Sequence, residues 1–114
     1  MIFTSKILFS KVLKHYTGIS LWPFIILRDN ETEMSPDRYK KLVNHERIHI
    51  RQQAETLVVF FYIFYAFYYI RNRMKGMKHW KAYQSIPFER ESYENEKDLE
   101  YLKKRKFWQW RKYA

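Results

Sequence analysis

The sequence of 114 residues contains no cysteine and few residues that break regular structure. The absence of cysteine excludes a disulfide framework and any cysteine-based zinc site, so a bound metal must use histidine, glutamate or aspartate. Two glycines and three prolines are too few for a disordered chain or for an all-β fold rich in turns. The length suits one domain, and we expect residues 1–114 to form a single folding unit.

Acidic residues are scarce relative to basic ones. Twelve aspartates and glutamates face 22 lysines and arginines, which gives a net charge of +10. This excess favours anionic partners such as lipid head groups, nucleic acid or acidic proteins, although a solvated basic surface is its commoner cause. The N-terminus also lacks a long apolar stretch, since Lys6 and Lys11 interrupt it, and this predicts no signal peptide. We therefore expect a cytoplasmic or membrane-associated protein.

The apolar patterns predict a mainly α protein with a small N-terminal β element, an α+β fold. This element lies in the N-terminal segment, residues 1–34. Residues 1–16 suit a short helix or an irregular lead-in, whereas residues 19–27 are rich in the branched and aromatic side chains of extended chain. Pro23 cannot donate to a strand ladder, so residues 19–27 form either an edge strand or two short strands.

Two helices are expected between residues 36 and 70. The first runs from Pro36 to about Ala54, with Ser35 as its N-cap. Residues 57–70 are apolar or aromatic throughout and span about 21 Å as a helix, which is short for a bilayer core that needs roughly 20 residues. A core helix packed on all sides is therefore favoured, and insertion into or across a membrane is the alternative.

The last third of the chain is predicted to hold one more helix and a tail. Residues 71–84 are basic and suit a connector. The pattern at Ser85 and Pro87 predicts a glutamate-bearing helix up to Leu102, and residues 86–113 thus comprise this helix and a basic aromatic tail. The tail is expected to pack its aromatic side chains on the core. Stacking on nucleic acid and anchoring at a membrane surface are the alternatives.

The segment from His45 to His49 carries the chemistry that the sequence offers. It has the form H-E-x-x-H, and on a helix its two histidines lie one turn apart on one face, so both imidazoles can bind one metal ion. Imidazole suits zinc, and Glu46 can act as general base on a metal-bound water. The basic residues of the same helix fall on the opposite arc, where we expect solvent: Lys40, Arg47 and Arg51.

Catalytic zinc commonly has three protein ligands, so a third must come from elsewhere in the chain. The best candidate region is residues 88–96, where Glu89 and Tyr93 share one helix face and Glu96 lies one turn further on. His79 is another candidate, and His15 is a remote one. The region holds four glutamates, and at least two of them are expected to be solvated charges only.

The chain resembles small gluzincin-type metallopeptidase domains, in which the H-E-x-x-H helix is followed by a helix that bears a glutamate ligand. That second helix often has the pattern E-R-E-A-D in compact members. The run from Glu89 to Tyr93 matches its first three letters and has serine and tyrosine for the last two. Over most of residues 18–113 the chain is also similar to a group of uncharacterised bacterial proteins with the patterns L-W-P-F, N-H-E-x-I-H-x-R-Q-Q, F-E-R-E-x-Y-x-N-E and F-W.

This resemblance implies a minimal zincin-like helical core with a zinc site. His45, His49 and Glu89 would bind Zn2+, and Glu46 would be the general base of a metallopeptidase. Zinc would polarise the scissile carbonyl and lower the pKa of bound water, and Glu46 would pass the proton to the leaving amine. The substrate would be a peptide or protein that pairs with an edge strand at residues 19–27.

Two tyrosines are expected to support the site. Tyr93 or Tyr83 would stabilise the oxyanion. Tyr93 also stands where the resemblance expects an aspartate, so the hydrogen bonding there differs from the family's pattern, and Arg47 occupies a position that is usually uncharged. The alternative functions are a catalytically silent metal-binding protein and a membrane-associated structural protein. An anionic membrane surface is the other partner considered, and nucleic acid is not expected.

Overall fold

The computed structural model describes residues 1–11, 13 and 16–114, and it has the mainly α, α+β architecture that the sequence predicts. The strands are β1 (Ile2–Thr4), β2 (Gly18–Leu21) and β3 (Phe24–Leu27). The helices of the described residues are α1 (Lys6–Lys11), α2 (Pro36–Glu55), α3 (Val59–Met74), α4 (His79–Gln84), α5 (Pro87–Asn95), α6 (Tyr101–Lys104) and a 3₁₀ helix (Gln109–Tyr113).

The strands form one sheet in the order β1-β3-β2, with β1 parallel and β2 antiparallel to β3. The predicted break at Pro23 is confirmed, because Pro23 lies in the turn between β2 and β3, where its missing N–H removes no ladder bond. β2 lies at an edge of the sheet. The prediction of an edge position is wrong for β3, which is central because part of the N-terminal lead-in forms β1 and pairs with its other side.

Helix α2 begins where the sequence predicts. The Ser35 hydroxyl accepts a hydrogen bond from the Arg38 N–H, and Pro36 occupies the first turn, where its missing N–H leaves no donor unpaired. The helix ends at Glu55, one residue beyond the predicted end. Its buried face carries both motif histidines. The basic residues of the opposite arc are exposed, as expected: Lys40, Arg47 and Arg51.

Leu57 and Val58 redirect the chain between α2 and α3. Both have positive φ angles (55° and 62°), which is a strained conformation for a β-branched residue such as valine. The two helices are bent by 111° at this break. Within the described residues, no single helix is long and apolar enough to cross a membrane, and α2 and α3 meet that criterion only as this bent pair.

Helix α3 is packed on one side only, so the prediction of a core helix surrounded by protein is wrong. Phe61 and Asn72 are its buried residues. Further side chains of the same face are half-buried against the core: Phe64, Tyr65, Tyr68 and Tyr69. None of the described elements covers the opposite face, which exposes large apolar side chains: Phe60, Ile63, Phe67 and Ile70.

The predicted connector of residues 71–84 is largely helical. Helix α3 continues to Met74, and α4 occupies the end of the segment. The buried side chain of Asn72 donates a hydrogen bond to the Ala82 carbonyl oxygen at 3.0 Å and so holds α4 against α3. The turn between the helices uses Gly76, whose φ of 95° suits a residue without a Cβ.

Helix α5 is shorter than predicted and ends at Asn95 rather than at Leu102. The reason lies in α2. The Asn44 side-chain amide donates hydrogen bonds to the carbonyl oxygens of Asn95, Glu96 and Asp98 at 2.9–3.4 Å. The bond to Asn95 satisfies the last carbonyl group of α5, and the bonds to Glu96 and Asp98 hold the chain that follows against α2.

Two clusters of buried apolar side chains hold these elements together. One joins α3 to the segment around α5 and to the tail: Phe61, Ile86, Phe88 and Trp110. The other joins the sheet to α2: Ile25, Leu27 and Val43. The prediction that the aromatic tail packs on the core is therefore confirmed for Trp110, whereas Phe107 is exposed.

Candidate metal centre

His45, His49 and Glu89 converge in the interior, between α2 and α5. The Nε2 atoms of His45 and His49 lie 3.3 and 3.1 Å from the same oxygen, Oε1 of Glu89. One ligand atom from each residue falls within 4.8 Å of the others, and all three residues are buried. The helices are tied together here by Ser92, whose hydroxyl donates to the His45 carbonyl oxygen at 2.7 Å.

The second nitrogen of each imidazole is held by an acceptor. His45 Nδ1–H donates to Glu96 Oε2 at 2.6 Å, and His49 Nδ1–H donates to Gln52 Oε1 at 2.7 Å. Since both partners accept, the proton of each neutral imidazole belongs on Nδ1, and its Nε2 carries a free lone pair. This is the arrangement in which metal-binding histidines are oriented by a second hydrogen bond.

Three acceptor atoms therefore face one another: two imidazole Nε2 atoms and Glu89 Oε1. Such a group requires a cation among its atoms, either a proton or a metal ion. In the metal-free protein, burial opposes protonation of His45, but its hydrogen bonds to Glu89 and Glu96 outweigh burial and raise its pKa to about 10. Burial likewise opposes ionisation of Glu89, yet the nearby imidazoles, His49 first, hold its pKa well below the usual range.

The spacing of these atoms suits a tetrahedral zinc ion. Ligand atoms about 2.0–2.1 Å from such an ion lie about 3.3–3.4 Å from each other. The distances from the two Nε2 atoms to Glu89 Oε1 are 3.3 and 3.1 Å, so an ion can enter with small shifts of the side chains. The residues present therefore fit the expected metal.

Glu89 is held at its other oxygen as well. The Tyr65 hydroxyl donates to Glu89 Oε2 at 2.7 Å, which leaves Oε1 directed at the imidazoles. The sequence pattern does not single out Tyr65, because this residue lies within the apolar run 57–70. Its role can be anticipated from chemistry, because a tyrosine whose ring packs in a core requires a hydrogen-bond partner for its hydroxyl group.

Glu46 lies next to the candidate metal ligands and beside strand β2. Burial raises the pKa of its carboxyl group, while the imidazoles of His49 and His45 act in the opposite direction. The strand passes close to it, since a Cβ atom on Gly18 would be 3.5 Å from Glu46 Oε2. A Cβ there would also be 2.9 Å from the buried Leu27 side chain, so the strand can approach this closely only with glycine at position 18.

The other candidate ligands have different roles. Glu96 binds the outer nitrogen of His45, and its backbone carbonyl is held by Asn44. His79 is exposed and contacts two tyrosine hydroxyl groups, those of Tyr16 and Tyr69, at 3.3 and 3.0 Å. His15 lies outside the described residues.

The two predicted supporting tyrosines lie beside the ligands. The Tyr93 ring contacts the His45 ring with centroids 4.6 Å apart, and the Tyr83 ring contacts the Tyr93 ring edge to face at 6.4 Å. Burial and nearby carboxylates raise the pKa of Tyr93 to about 12 and that of Tyr83 further still. Both hydroxyl groups are thus protonated donors at neutral pH.

The departures from the E-R-E-A-D pattern have structural counterparts. The carboxylate that the pattern places at position 93 is replaced by that of Glu96, which follows one turn later and reaches His45 Nδ1. Arg47 is exposed, whereas the candidate metal ligands are buried. The expectation that at least two of the four glutamates in residues 88–96 are only solvated is wrong, since Glu94 is the one exposed member.

Glu91 is the unexpected buried glutamate, and it links the site to the tail. It accepts hydrogen bonds from Gln52 at 2.8 Å, from the Tyr101 hydroxyl at 2.5 Å and from Arg105 at 2.5 and 3.1 Å. Arg105 also donates to both carboxylate oxygens of Glu55, at 2.7 and 2.9 Å. A chain of polar contacts therefore runs from the tail through Gln52 to His49, a candidate metal ligand.

A cavity of about 320 Å³ opens beside Glu46, His49 and Glu89. Most of its remaining wall is aromatic: Tyr16, Phe61, Tyr62, Tyr65, Tyr69 and Tyr83. Strand β2 also lines it, with Gly18, Ile19 and Ser20. The candidate metal ligands are thus next to a space large enough for part of a small ligand or a peptide side chain.

The free edge of β2 is partly covered. The Gln53 side-chain amide donates to the Ser20 carbonyl oxygen at 3.1 Å, and its oxygen accepts from the Trp22 N–H at 2.7 Å. In a strand, alternate residues direct their backbone groups to the same edge, so those of Gly18 face the same way as those of Ser20.

Comparisons of the chain with protein families, with curated proteins and with solved structures give no match.

Proposed function

We propose that this chain is a zinc-dependent metallopeptidase of the gluzincin type, with His45, His49 and Glu89 as metal ligands and Glu46 as general base. One observation carries the proposal: three buried acceptor atoms converge, and each histidine is fixed in the tautomer that directs a lone pair at the others. A structural ion pair does not need both outer nitrogens held by acceptors, whereas a metal site does.

The donor set favours zinc among the available metals. Two imidazoles and one carboxylate are the ligand set of several zinc hydrolases, and they leave the fourth position open for water or substrate. His49 and Glu89 line the aromatic cavity together with Glu46, so this position is accessible from the cavity. Bound there, Zn2+ would supply Lewis-acid activation of a water molecule and of a carbonyl group.

The protein's own groups would handle the proton. Burial raises the pKa of Glu46, which brings this carboxylate closer to the range in which a group can both accept and release a proton near neutral pH. Glu46 would take the proton from the attacking water and transfer it to the leaving amine. Tyr83 lines the same cavity with a protonated hydroxyl group and would donate a hydrogen bond to the oxyanion.

A peptide is the substrate that the surroundings favour. The backbone groups of Gly18 face the cavity side of β2 and lie close to Glu46, so an extended peptide paired with them would pass over the base. Gln53 already covers the next part of this edge, at Ser20 and Trp22, which limits the pairing to the end of the strand nearest the site.

The test is zinc content combined with hydrolysis of a library of fluorogenic peptides. We expect one zinc ion per chain, peptide cleavage that a chelator abolishes and added zinc restores, and loss of cleavage in Glu46→Gln with zinc still bound. The matched control is Glu94→Gln, an exposed glutamate of α5 that should leave both properties unchanged. Stoichiometric zinc without any cleavage would favour the catalytically silent metal-binding protein instead.

A further inference from the structure

Helix α3 presents a continuous apolar stripe to solvent, on the side opposite the cavity. Its members recur every three or four residues and are 49–82% exposed: Phe60, Ile63, Phe67, Ile70 and Met74. We call this set the α3 stripe. Large contiguous apolar patches are rare on soluble monomers and mark surfaces that bind a partner or a membrane.

A series of ring contacts, partly in the core, connects the stripe to the C-terminal tail. Phe60 contacts Phe64 at 6.3 Å between centroids, and Phe64 contacts Trp110 at 6.0 Å. Trp110 stacks on Trp108 at 5.8 Å, and Trp108 contacts Phe107 at 5.7 Å. Trp110 is buried in this series, whereas Phe107 is 74% exposed and adds a second protruding aromatic residue beyond it.

The border of this surface is strongly basic. Residues 56–88 contain five lysines and arginines and no acidic residue. Residues 101–114 contain six basic residues and no acidic one, and of these Arg105 is buried with glutamates. Lys103 and Lys104 form exposed ion pairs with Glu100 and Asp98. Among the described residues, no acidic side chain forms an ion pair with Arg71, Arg73 or Lys75, the cations at the end of α3.

We propose that the α3 stripe and Phe107 dock this protein onto a membrane surface that contains anionic lipid. The helix would lie in the plane of the interface, with its apolar side chains at the boundary between head groups and acyl chains. The exposed cations at its C-terminal end, Arg71, Arg73 and Lys75, would contact lipid phosphates. An interfacial helix of this kind needs both features, an apolar face and basic flanks.

The same features disfavour other occupants. Nucleic acid offers phosphates to the basic border but no apolar counterpart for five aliphatic and aromatic side chains. A second copy of the chain would bring two uncompensated basic borders together. The docking does not depend on zinc, because none of its residues touches the metal ligands, and it can therefore succeed or fail independently of the peptidase proposal.

The chain's lack of cysteine makes a site-specific probe straightforward. Ile63→Cys and Leu99→Cys each introduce a single thiol for an environment-sensitive fluorophore, at positions of nearly equal exposure, 53% and 50%. Vesicles of phosphatidylcholine mixed with phosphatidylserine should shift the emission of the probe at position 63 to the blue. The probe at position 99, outside the stripe, should not respond. Vesicles of phosphatidylcholine alone should shift the emission of the probe at position 63 less than the mixed vesicles do.

Vesicle co-sedimentation of the full chain separates the contribution of the apolar stripe from that of the basic residues. Ile63→Ser with Phe67→Ser should abolish binding to anionic vesicles. The triple change Arg71→Gln, Arg73→Gln and Lys75→Gln should weaken partitioning on the order of a hundred-fold, since each basic residue near an anionic surface contributes roughly five-fold. The matched control removes the same charge from α2, at Lys40, Arg47 and Arg51, and should weaken it much less. Circular dichroism checks that each variant is folded.

Three results would overturn the proposal. The first is no sedimentation of the wild-type chain with anionic vesicles and no response of the position-63 probe. The second is an equal loss of binding in the α2 control, which would indicate a general charge effect. The third is a dimer in sedimentation velocity that Ile63→Ser with Phe67→Ser dissociates, while vesicle binding is absent. That result would assign the stripe to a second copy of the chain.

Discussion

The Gln52 side-chain oxygen accepts a hydrogen bond from His49 Nδ1 at 2.7 Å, and this contact decides which nitrogen of His49 is free to bind a metal. The orientation of the amide is itself fixed, because its nitrogen donates to the Phe88 carbonyl oxygen at 3.1 Å and to Glu91 at 2.8 Å. Gln52 therefore connects the ligand on α2 to the helix that carries the third ligand.

Replacing Gln52 should weaken zinc binding without removing any ligand. We expect Gln52→Met to lower the zinc affinity by about 10–100-fold, because His49 loses the partner that fixes its tautomer and ring orientation. The matched control is Gln53→Met, since Gln53 is equally buried but binds strand β2. Competition with a chromogenic chelator measures both affinities. Equal affinities in the two variants would show that Gln52 does not orient the site.

Zinc binding should release protons at neutral pH. In the metal-free protein the pKa of His45 is raised to about 10 from 6.5, so a proton occupies the site that zinc would take. We therefore expect release of about one proton or more per zinc ion and an affinity that rises with pH. Calorimetry in buffers of different ionisation enthalpy measures this release. A binding enthalpy that is the same in every buffer would contradict it.

The stability of the metal-free protein should fall as the pH rises, whereas its zinc affinity should increase. Because the folded-state pKa of His45 lies above the unfolded value, its protonation stabilises the fold fully below pH 6.5, and this contribution is lost as the pH rises towards 10. Zinc-loaded protein should instead lose stability on acidification, as protons displace the metal. Thermal unfolding with zinc and with a chelator should give curves of opposite slope, and parallel curves would refute this account.

Arg105 should be essential for stability although it lies in the basic tail. Its side chain is fully buried and pairs with Glu55 and Glu91, so Arg105→Met leaves two carboxylates without their cation. We expect the free energy of unfolding to fall by about 3–5 kcal/mol, measured by denaturant titration in the presence of chelator. Lys104→Met, which removes an exposed pair with Asp98, should change stability little. Similar small effects in both variants would show that the buried network is not needed.

Local patterns account for the parts of the fold that the sequence predicts. The cap at Ser35 and the turn at Pro23 depend on the residue's own backbone chemistry. The pairing of His45 with His49 depends only on the period of one helix. In each case the decisive interaction lies within a few residues, so tertiary structure is not required to anticipate it.

The remaining parts depend on contacts between distant segments. The end of α5 at Asn95 is set by Asn44, and this end places Glu96 on the outer nitrogen of His45 rather than among the inner ligand atoms. The prediction therefore could not choose between Glu89 and Glu96. The burial of Glu91 similarly requires its pairing with Arg105. The basic pattern of the tail instead predicts that Arg105 is solvated.

The central claim is that His45, His49 and Glu89 bind one zinc ion, and crystals of the zinc-loaded protein test it most directly. Anomalous diffraction recorded on both sides of the zinc absorption edge should give one strong peak per chain. We predict that it lies about 2.0–2.2 Å from both histidine Nε2 atoms and from a Glu89 carboxylate oxygen. A peak held by other residues, or no peak between these three side chains at saturating zinc, would contradict the account.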